Sequence, residues 1–245
     1  MNAVMFDFSG TLFHIESAAE WLDELGLDLS PAEREDCVRR LTETGALPGG
    51  PPPLHPPEGW SQRDVTAERH RSVYTAQTRA ALLPLFGPER ADRLAAELYR
   101  RHMSPGAWRS PYPDAEPVLS ELRRRGVPVA VVSNIGWDLR PVFVHGGLDR
   151  YVDAYVLSYE LEAQKPDPRI FRAACELLGH PPEQVLMVGD DLAADGGATA
   201  LGCAFHHVRS LPVAERPDGL LPVLDLVGSG PLPGDRMEGV PATGG

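Results

Sequence analysis

Apolar runs that alternate with glycine-terminated helical segments constrain the fold of this chain more than any other feature. Short runs rich in β-branched residues occupy residues 2–8, 127–133, 153–157, 185–189 and 204–208. Their continuous apolar character is typical of strands that are covered on both faces. Helical segments, each followed by glycine, are predicted over residues 114–125, 136–145, 168–178 and 192–201. The alternation predicts an α/β fold with a parallel, doubly wound (Rossmann-like) sheet.

Residues 15–106 interrupt this alternation and are predicted to be almost entirely helical. Ser30-Pro31-Ala32-Glu33 has the pattern of a capping box with proline at the first helical position. A second helix start is predicted at Ser61-Gln62-Arg63-Asp64, and another at Gly87-Pro88-Glu89. Residues 47–57 are rich in glycine and proline, so they are predicted to be a loop.

These patterns predict two domains. Residues 1–14 and 107–227 are expected to form the α/β core, and residues 15–106 a helical cap inserted after the first strand. Residues 228–245 are rich in glycine and proline and are expected to be a disordered tail.

Composition excludes several classes of protein. The net charge of −12 argues against a nucleic-acid-binding groove, which needs concentrated Lys and Arg. No stretch approaches the length of a transmembrane span, and the first residues lack the pattern of a secretory signal. Cys37, Cys175 and Cys203 lack metal-ligand spacing and are expected to be reduced, buried thiols. The expected location is therefore cytoplasmic.

Chemically active side chains follow the predicted strands. Asp7 ends the first strand, Ser133-Asn134 the second, and Asp190-Asp191 a later one, while Lys165 precedes a helix. Ligands of open α/β sheets bind at the carboxyl ends of the strands, so these groups are expected to lie together. Lys165 is also the only lysine among 23 Lys and Arg residues. Because Arg and Lys differ in how they bind phosphate, its retention suggests a specific role.

In this arrangement the sequence resembles the haloacid dehalogenase-like (HAD) hydrolase superfamily. Four motifs carry the resemblance in order, over residues 1–13 and 107–210. They are Phe6-Asp7-Phe8-Ser9-Gly10-Thr11-Leu12, Val131-Val132-Ser133-Asn134, Lys165-Pro166-Asp167-Pro168-Arg169-Ile170-Phe171, and Val188-Gly189-Asp190-Asp191 with Asp195. The position of the helical insert is similar to that of a cap domain in this family.

The resemblance implies a phosphatase. Asp7 is the expected nucleophile, which would attack phosphorus and form an aspartyl-phosphate. Mg²⁺, held by Asp7, Asp190 and the Ser9 carbonyl, is the expected cofactor because a phosphate beside a carboxylate needs positive charge. Lys165 is expected to balance the remaining charge.

The resemblance also implies how the substrate is held. Ser133, Asn134 and the amides of Gly10 and Thr11 are expected to bind phosphate oxygens. Asp191 and Asp195 are expected to orient Lys165 or metal-bound water. The substrate is expected to be a small molecule, with neither a nucleic acid nor a membrane as partner, and the sequence leaves the oligomeric state open.

The sequence departs from the family pattern at Ser9. Phosphatases of the family carry an aspartate here, which protonates the leaving group and later activates water. A serine hydroxyl has no useful acidity near pH 7, so alkyl phosphates are expected to be poor substrates. Three explanations remain open: a substrate with a good leaving group, another proton donor such as His14, or binding of phosphate without turnover.

Two other branches of the family fit the sequence less well than the phosphatases do. A 2-haloacid dehalogenase would have tyrosine at position 9, and Asp190-Asp191 would repel its carboxylate substrate, although Arg69 or Arg71 could bind that group. A phosphonate-cleaving enzyme needs a second lysine, and the chain has none. A 2-haloacid dehalogenase and a non-catalytic phosphate-binding protein are therefore the two alternatives to the phosphatase. Trp137, close behind the second motif, is a candidate pocket residue.

Overall fold

A five-stranded parallel sheet forms the centre of the computed structural model, which describes residues 1–14, 17–23, 25–47, 50–108 and 111–228. The strands are β1 (Ala3–Phe6), β2 (Val129–Ser133), β3 (Ala154–Leu157), β4 (Val185–Gly189) and β5 (Ala204–His207). Their order in the sheet is β3-β2-β1-β4-β5. The chain leaves β1 for β2 on one side and later crosses to β4 on the other. This reversal creates a crevice at the carboxyl end of β1, where open α/β sheets bind ligands.

Side chains alternate between the two faces of the sheet and are buried on both. Val4 and Phe6 belong to one apolar cluster, and Ala3 and Met5 to another. The helices that cover these faces are α5 (Ala115–Arg124), α6 (Arg140–His145), α7 (Ser158–Leu161), α8 (Pro168–Leu178) and α9 (Val223–Leu226). Burial on both faces explains why the strands read as continuous apolar runs. The predicted fold class is confirmed.

Within the described ranges, four further helices lie between β1 and α5 in the chain. They are α1 (Ala18–Asp23), α2 (Pro31–Glu43), α3 (Ala67–Phe86) and α4 (Pro88–His102), here called the cap helices. Trp21, Leu41 and Leu82 are buried in an apolar cluster of their own. A separate cluster gives these helices a packing centre distinct from the sheet. The division into domains at residues 14, 106 and 227 stays a prediction, and residues 229–245 of the predicted tail lie outside the described residues.

Local capping signals decide where the cap helices begin. The Ser30 side chain accepts a hydrogen bond from the Glu33 amide and Glu33 bonds back to the Ser30 amide, which confirms the capping box. The restart at Pro88 after Gly87 is confirmed as well. The predicted helix start at Ser61 is wrong: residues 60–62 form one 3-10 turn, and Thr66 is the residue that caps α3.

Two helices of the core are shorter than the sequence indicates. Helix α6 begins at Arg140 rather than at residue 136, and residues 195–201 form a 3-10 helix in place of an α-helix from residue 192. Gly136 lies so close to the buried side chain of His70 on α3 that a Cβ at this position would overlap it. This close approach joins the cap helices to the loop after β2.

The state of the cysteines agrees with the sequence analysis. Cys37, Cys175 and Cys203 are buried and free, as predicted. Within the described ranges, no helix combines the length and the apolar character needed to cross a membrane.

Candidate active site

The Lys165 ammonium is the centre of a buried charge cluster at the carboxyl ends of the strands. Its Nζ donates hydrogen bonds to Asp7 Oδ1 at 2.6 Å, to Asp195 Oδ1 at 2.6 Å and to the Val132 carbonyl at 2.9 Å. Burial opposes the charged form, but Asp195 and Asp7 outweigh it, so the pKa of Lys165 lies above its ordinary value. The side chain is a fixed, fully hydrogen-bonded cation. The structure thus brings together residues from all four motifs.

Three carboxylates crowd around this single cation. Oxygen atoms of Asp7, Asp190 and Asp195 lie within 4.8 Å of one another. Burial raises the pKa of each carboxyl to about 6, and a neighbouring carboxylate adds to the effect in every case. The described protein groups therefore leave an excess of negative charge at this point, and oxygen ligands at such spacing suit Mg²⁺.

Hydrogen bonds from the motif loops hold these groups in place. The Asn134 side chain accepts from the Lys165 amide at 2.6 Å and donates to the Lys165 carbonyl at 3.0 Å. Asp195 Oδ2 accepts from the Asp191 amide at 3.0 Å. Asn134 thus positions the lysine loop, and Asp195 contacts both Lys165 and the loop after β4. Their predicted roles toward substrate stay predictions.

The turn after Asp7 packs tightly against Asp190. The Thr11 hydroxyl donates to Asp190 Oδ1 at 3.2 Å. Gly10 has a φ of 78°, and a Cβ there would overlap the Asp190 carboxylate. Glycine is therefore required at this turn on two counts, conformation and space. Gly10 and Thr11 do not line the cavity described next, and their predicted contact with phosphate stays a prediction.

A cavity of about 480 Å³ opens over the charge cluster. The core residues that line it are Asp7, Ser9, Ser133, Asn134, Lys165 and residues 190–195. The Ser9 hydroxyl is buried and has no hydrogen-bond partner within the described ranges. The size is that of a site for a small molecule.

Residues between β1 and β2 that the sequence analysis did not assign to the site contribute side chains to the same cavity. Arg63, Asp64 and Tyr74 line it together with the core residues. Arg63 Nε donates to the Tyr74 hydroxyl at 2.9 Å, and its guanidinium lies 4.3 Å from the centre of the Trp60 ring. Arg63 and Asp64 precede helix α3, and polar residues are common before the start of a helix. Nothing in the local sequence therefore marks them as residues of the site.

Other candidates from the sequence lie elsewhere. Trp137 and His14 are absent from the cavity lining. Trp137 is buried in the core, with its ring centre 6.3 Å from that of Trp108. Arg69 and Arg71 are exposed on α3 and do not reach the cavity either. Arg63 is the cap arginine that does.

Arg216, near the end of the described residues, holds the turn after Asp7 through hydrogen bonds to its backbone. The buried Arg216 donates to the carbonyls of Gly10 at 2.8 Å and Thr11 at 2.5 Å. Its guanidinium also lies against the face of the Tyr112 ring, 3.1 Å from the ring centre. These contacts fix the conformation of the turn although Arg216 follows Gly10 by 206 residues.

Comparisons with known proteins agree with this architecture. The family model of haloacid dehalogenase-like hydrolases matches residues 1–201. Phosphoserine phosphatase of Thermus thermophilus is 41% identical over 44% of this chain, but the match covers only 42% of that protein. A plasmid-encoded phosphoglycolate phosphatase of Cupriavidus necator is 31% identical over 85% of this chain and 80% of its own length. The structure of L-2-haloacid dehalogenase from Xanthobacter autotrophicus superposes with a TM-score of 0.60 at 24% identity, over 92% of this chain and 88% of that one.

Proposed function

This chain belongs to the haloacid dehalogenase-like hydrolases, and on that premise we propose that it is a Mg²⁺-dependent phosphatase of a small phosphate monoester. The observation that carries the proposal is the cluster of Asp7, Asp190 and Asp195 around one lysine. Three neighbouring carboxylates with raised pKa values suit a site that binds a divalent cation together with an anionic substrate. Relatives named as phosphatases of phosphoserine and of phosphoglycolate support a small substrate of this kind.

The donor set fits magnesium. Asp7, the Ser9 carbonyl and Asp190 would hold the ion, since Asp195 already uses both oxygens to accept from Lys165 and from the Asp191 amide. Hard oxygen ligands are those that Mg²⁺ prefers. Bound there, it would neutralise charge on the phosphate and on the carboxylates.

The side chains of the site have distinct roles in the reaction. Asp7 is the nucleophile: one of its oxygens forms a bond to phosphorus while the bond to the leaving oxygen breaks. Lys165 orients Asp7 and balances the charge that develops on the phosphoryl oxygens. Ser133 would bind one of those oxygens from the end of β2. Asn134 and Asp195 act through Lys165, by holding its loop and its ammonium.

Dehalogenation fits the cavity less well. A 2-haloacid brings a carboxylate, and five aspartates line the cavity against two cations, Arg63 and Lys165, among the described lining residues. Lys165 already donates to two carboxylates. A phosphate substrate that enters with a divalent cation avoids this repulsion, so the phosphatase is the better-supported function.

Hydrolysis of p-nitrophenyl phosphate tests the proposed function. The leaving group departs as a stable phenolate, so the reaction makes little demand on a proton donor. We expect release of p-nitrophenolate with Mg²⁺ and its loss when EDTA removes the metal. Chloride release from 2-chloropropionate in the presence of EDTA, without phosphatase activity, would instead establish a dehalogenase.

An Asp190→Asn variant tests the metal site without an activity assay. Burial and Asp195 raise the pKa of Asp190 to about 6, so the ionised carboxylate destabilises the metal-free fold above that pH. Without metal at pH 8, we expect the variant to melt roughly 2–4 °C above the unmodified protein. This gain should shrink at pH 5, where Asp190 is protonated. Mg²⁺ should raise the Tm of the unmodified protein but not that of the variant. If Mg²⁺ raised the Tm of both proteins equally, Asp190 would not be a ligand of the metal.

A further inference from the structure

Asp64 is a buried acid that the mechanism above leaves without a role. Its side chain lines the cavity with Asp7 and Ser9, and the residue is only 2% exposed. Oδ1 has no hydrogen-bond partner in the described part of the chain. A buried carboxyl oxygen without a partner is costly, so its presence beside a reaction centre calls for an explanation.

The backbone of Asp64 is fastened to the core on both sides. Its amide donates to Gln164 Oε1 at 3.1 Å, and its carbonyl accepts from the Ser158 hydroxyl at 2.5 Å. Gln164 immediately precedes Lys165. The Ser158 oxygen in turn accepts from the amide of Ile135, which follows Asn134, at 2.8 Å. Asp64 is thus positioned by the loops of the second and third motifs, although it belongs to the cap.

The surroundings of Asp64 favour the protonated acid. Burial raises the pKa of its carboxyl to about 6, while Arg63 and Lys165 oppose the shift. Arg63 Nε lies 3.4 Å from Oδ2, and His70 Nε2 lies 3.8 Å from Oδ1. Burial lowers the pKa of His70 to about 3, so that ring is neutral and supplies no counter-charge. Burial also raises the pKa values of Tyr74 and Tyr99, so both tyrosines are neutral too.

In-line displacement at phosphorus directs the leaving group to this part of the cavity. The attacking and leaving oxygens lie on opposite sides of phosphorus. Asp7 attacks from the edge of the sheet, so the leaving oxygen points away from the sheet and toward the cap residues that line the cavity. Ser9, which belongs to the sheet edge, cannot protonate it because a hydroxyl is too weak an acid.

We propose that Asp64 is the general acid and base of this phosphatase, supplied by the cap in place of Ser9. The inference rests on the proposed function. As Asp7 bonds to phosphorus, the electron pair of the breaking bond goes to the leaving oxygen, which takes the proton of Asp64 and departs as an alcohol. The Asp64 carboxylate then takes a proton from water as that water attacks the aspartyl-phosphate. The bond between phosphorus and Asp7 breaks, inorganic phosphate leaves, and Asp64 is again protonated.

Two matched esters test this assignment. p-Nitrophenyl phosphate releases a phenolate that needs no proton, whereas p-nitrobenzyl phosphate, longer by one methylene, releases an alkoxide that does. The first step is read as leaving-group release in single turnovers with enzyme in excess and Mg²⁺ present. We expect Asp64→Asn to slow release from the benzyl ester by about 10²–10⁴-fold and from the phenyl ester by less than about tenfold.

Two further variants guard against effects on folding. Asp92→Asn removes an exposed aspartate of α4 that pairs with Arg79, and we expect it to leave both rates unchanged. Gln164→Met removes the hydrogen bond to the Asp64 amide without touching the carboxyl group. We expect it to slow release from the benzyl ester selectively, by about tenfold, because a displaced Asp64 carboxyl transfers its proton to the leaving oxygen less efficiently.

The outcomes separate the two proposals. Equal slowing of both esters in Asp64→Asn and Gln164→Met would make Asp64 a structural residue, and no slowing of the benzyl ester would remove it from the reaction. Either result overturns the role of Asp64 and leaves the phosphatase intact. Release of neither leaving group by the unmodified protein would overturn both proposals.

Discussion

Asp7→Asn is expected to lower turnover of p-nitrophenyl phosphate by at least about 10³-fold, since an amide neither attacks phosphorus nor carries a negative charge. The substitution is nearly isosteric, and the amide oxygen can still accept the hydrogen bond that Lys165 donates to Asp7 Oδ1 at 2.6 Å. Lys165 also keeps Asp195 as a charged partner. The loss should therefore be one of chemistry, with a Tm no lower than that of the unmodified protein, because burial raises the pKa of Asp7 to about 6 as it does that of Asp190. Phosphate release and thermal unfolding measured on the same samples check both statements.

Asp138→Asn is a suitable control for this experiment. Asp138 is exposed and forms an ion pair with Arg140 at 2.9 Å, outside the cavity lining. The Asp138→Asn variant should retain full activity, because Asp138 does not line the cavity and exposed ion pairs contribute little to stability. Turnover by Asp7→Asn within tenfold of the unmodified protein would mean that the nucleophile is another residue.

Lys165→Met is expected to cost both stability and activity. The Lys165 side chain is 3% exposed, and its ammonium is shared by two buried carboxylates, Asp7 and Asp195. Its removal leaves those charges facing each other without compensation, which in buried pairs costs about 3–5 kcal/mol. Urea denaturation at pH 7.5 measures the loss. Activity should fall to background because the charge opposite the phosphoryl group is gone.

The pH dependence gives the Lys165 prediction a second test. Burial raises the pKa values of Asp7 and Asp195 to about 6 even beside the ammonium, and without it both values rise further. Below pH 6 the carboxyls of the variant are protonated and no longer repel each other. The stability lost in Lys165→Met should therefore shrink as the pH falls from 7.5 to 5. A loss of the same size at both pH values would show that packing, not charge, is responsible.

The core of the fold could be predicted because its signals are local. A strand buried on both faces must be apolar throughout, so β1, β2 and β4 are visible as unbroken runs, and the loops that follow them had to meet at one edge. Helix α8 is marked by Asp167 as its cap and Pro168 at its first position. Asp7, Asn134 and Asp190 follow from the same logic because each comes directly after a strand, whereas Asp195 was expected only from the family resemblance.

The cap residues of the site could not be predicted because their positions depend on tertiary packing. Asp64 lies near Lys165 only because Gln164 and Ser158 hold its backbone, across 100 and 94 residues of sequence. The error at Ser61 has a similar origin: a polar residue before an apolar stretch resembles a cap, but the helix is capped by Thr66. Helix α6 starts late where Gly136 packs against His70, a contact that sequence periodicity does not report.

Arg216 limits how far the protein can be truncated from its carboxyl end. The match to the family model stops at residue 201. A fragment that ends there would keep every motif and the strands β1 to β4, but it would lack β5. It would also lose the guanidinium that fastens the carbonyls of Gly10 and Thr11. The smallest fragment able to hold the turn beside Asp7 therefore extends past Arg216. Recombination or fusion points for engineering this enzyme belong beyond that residue.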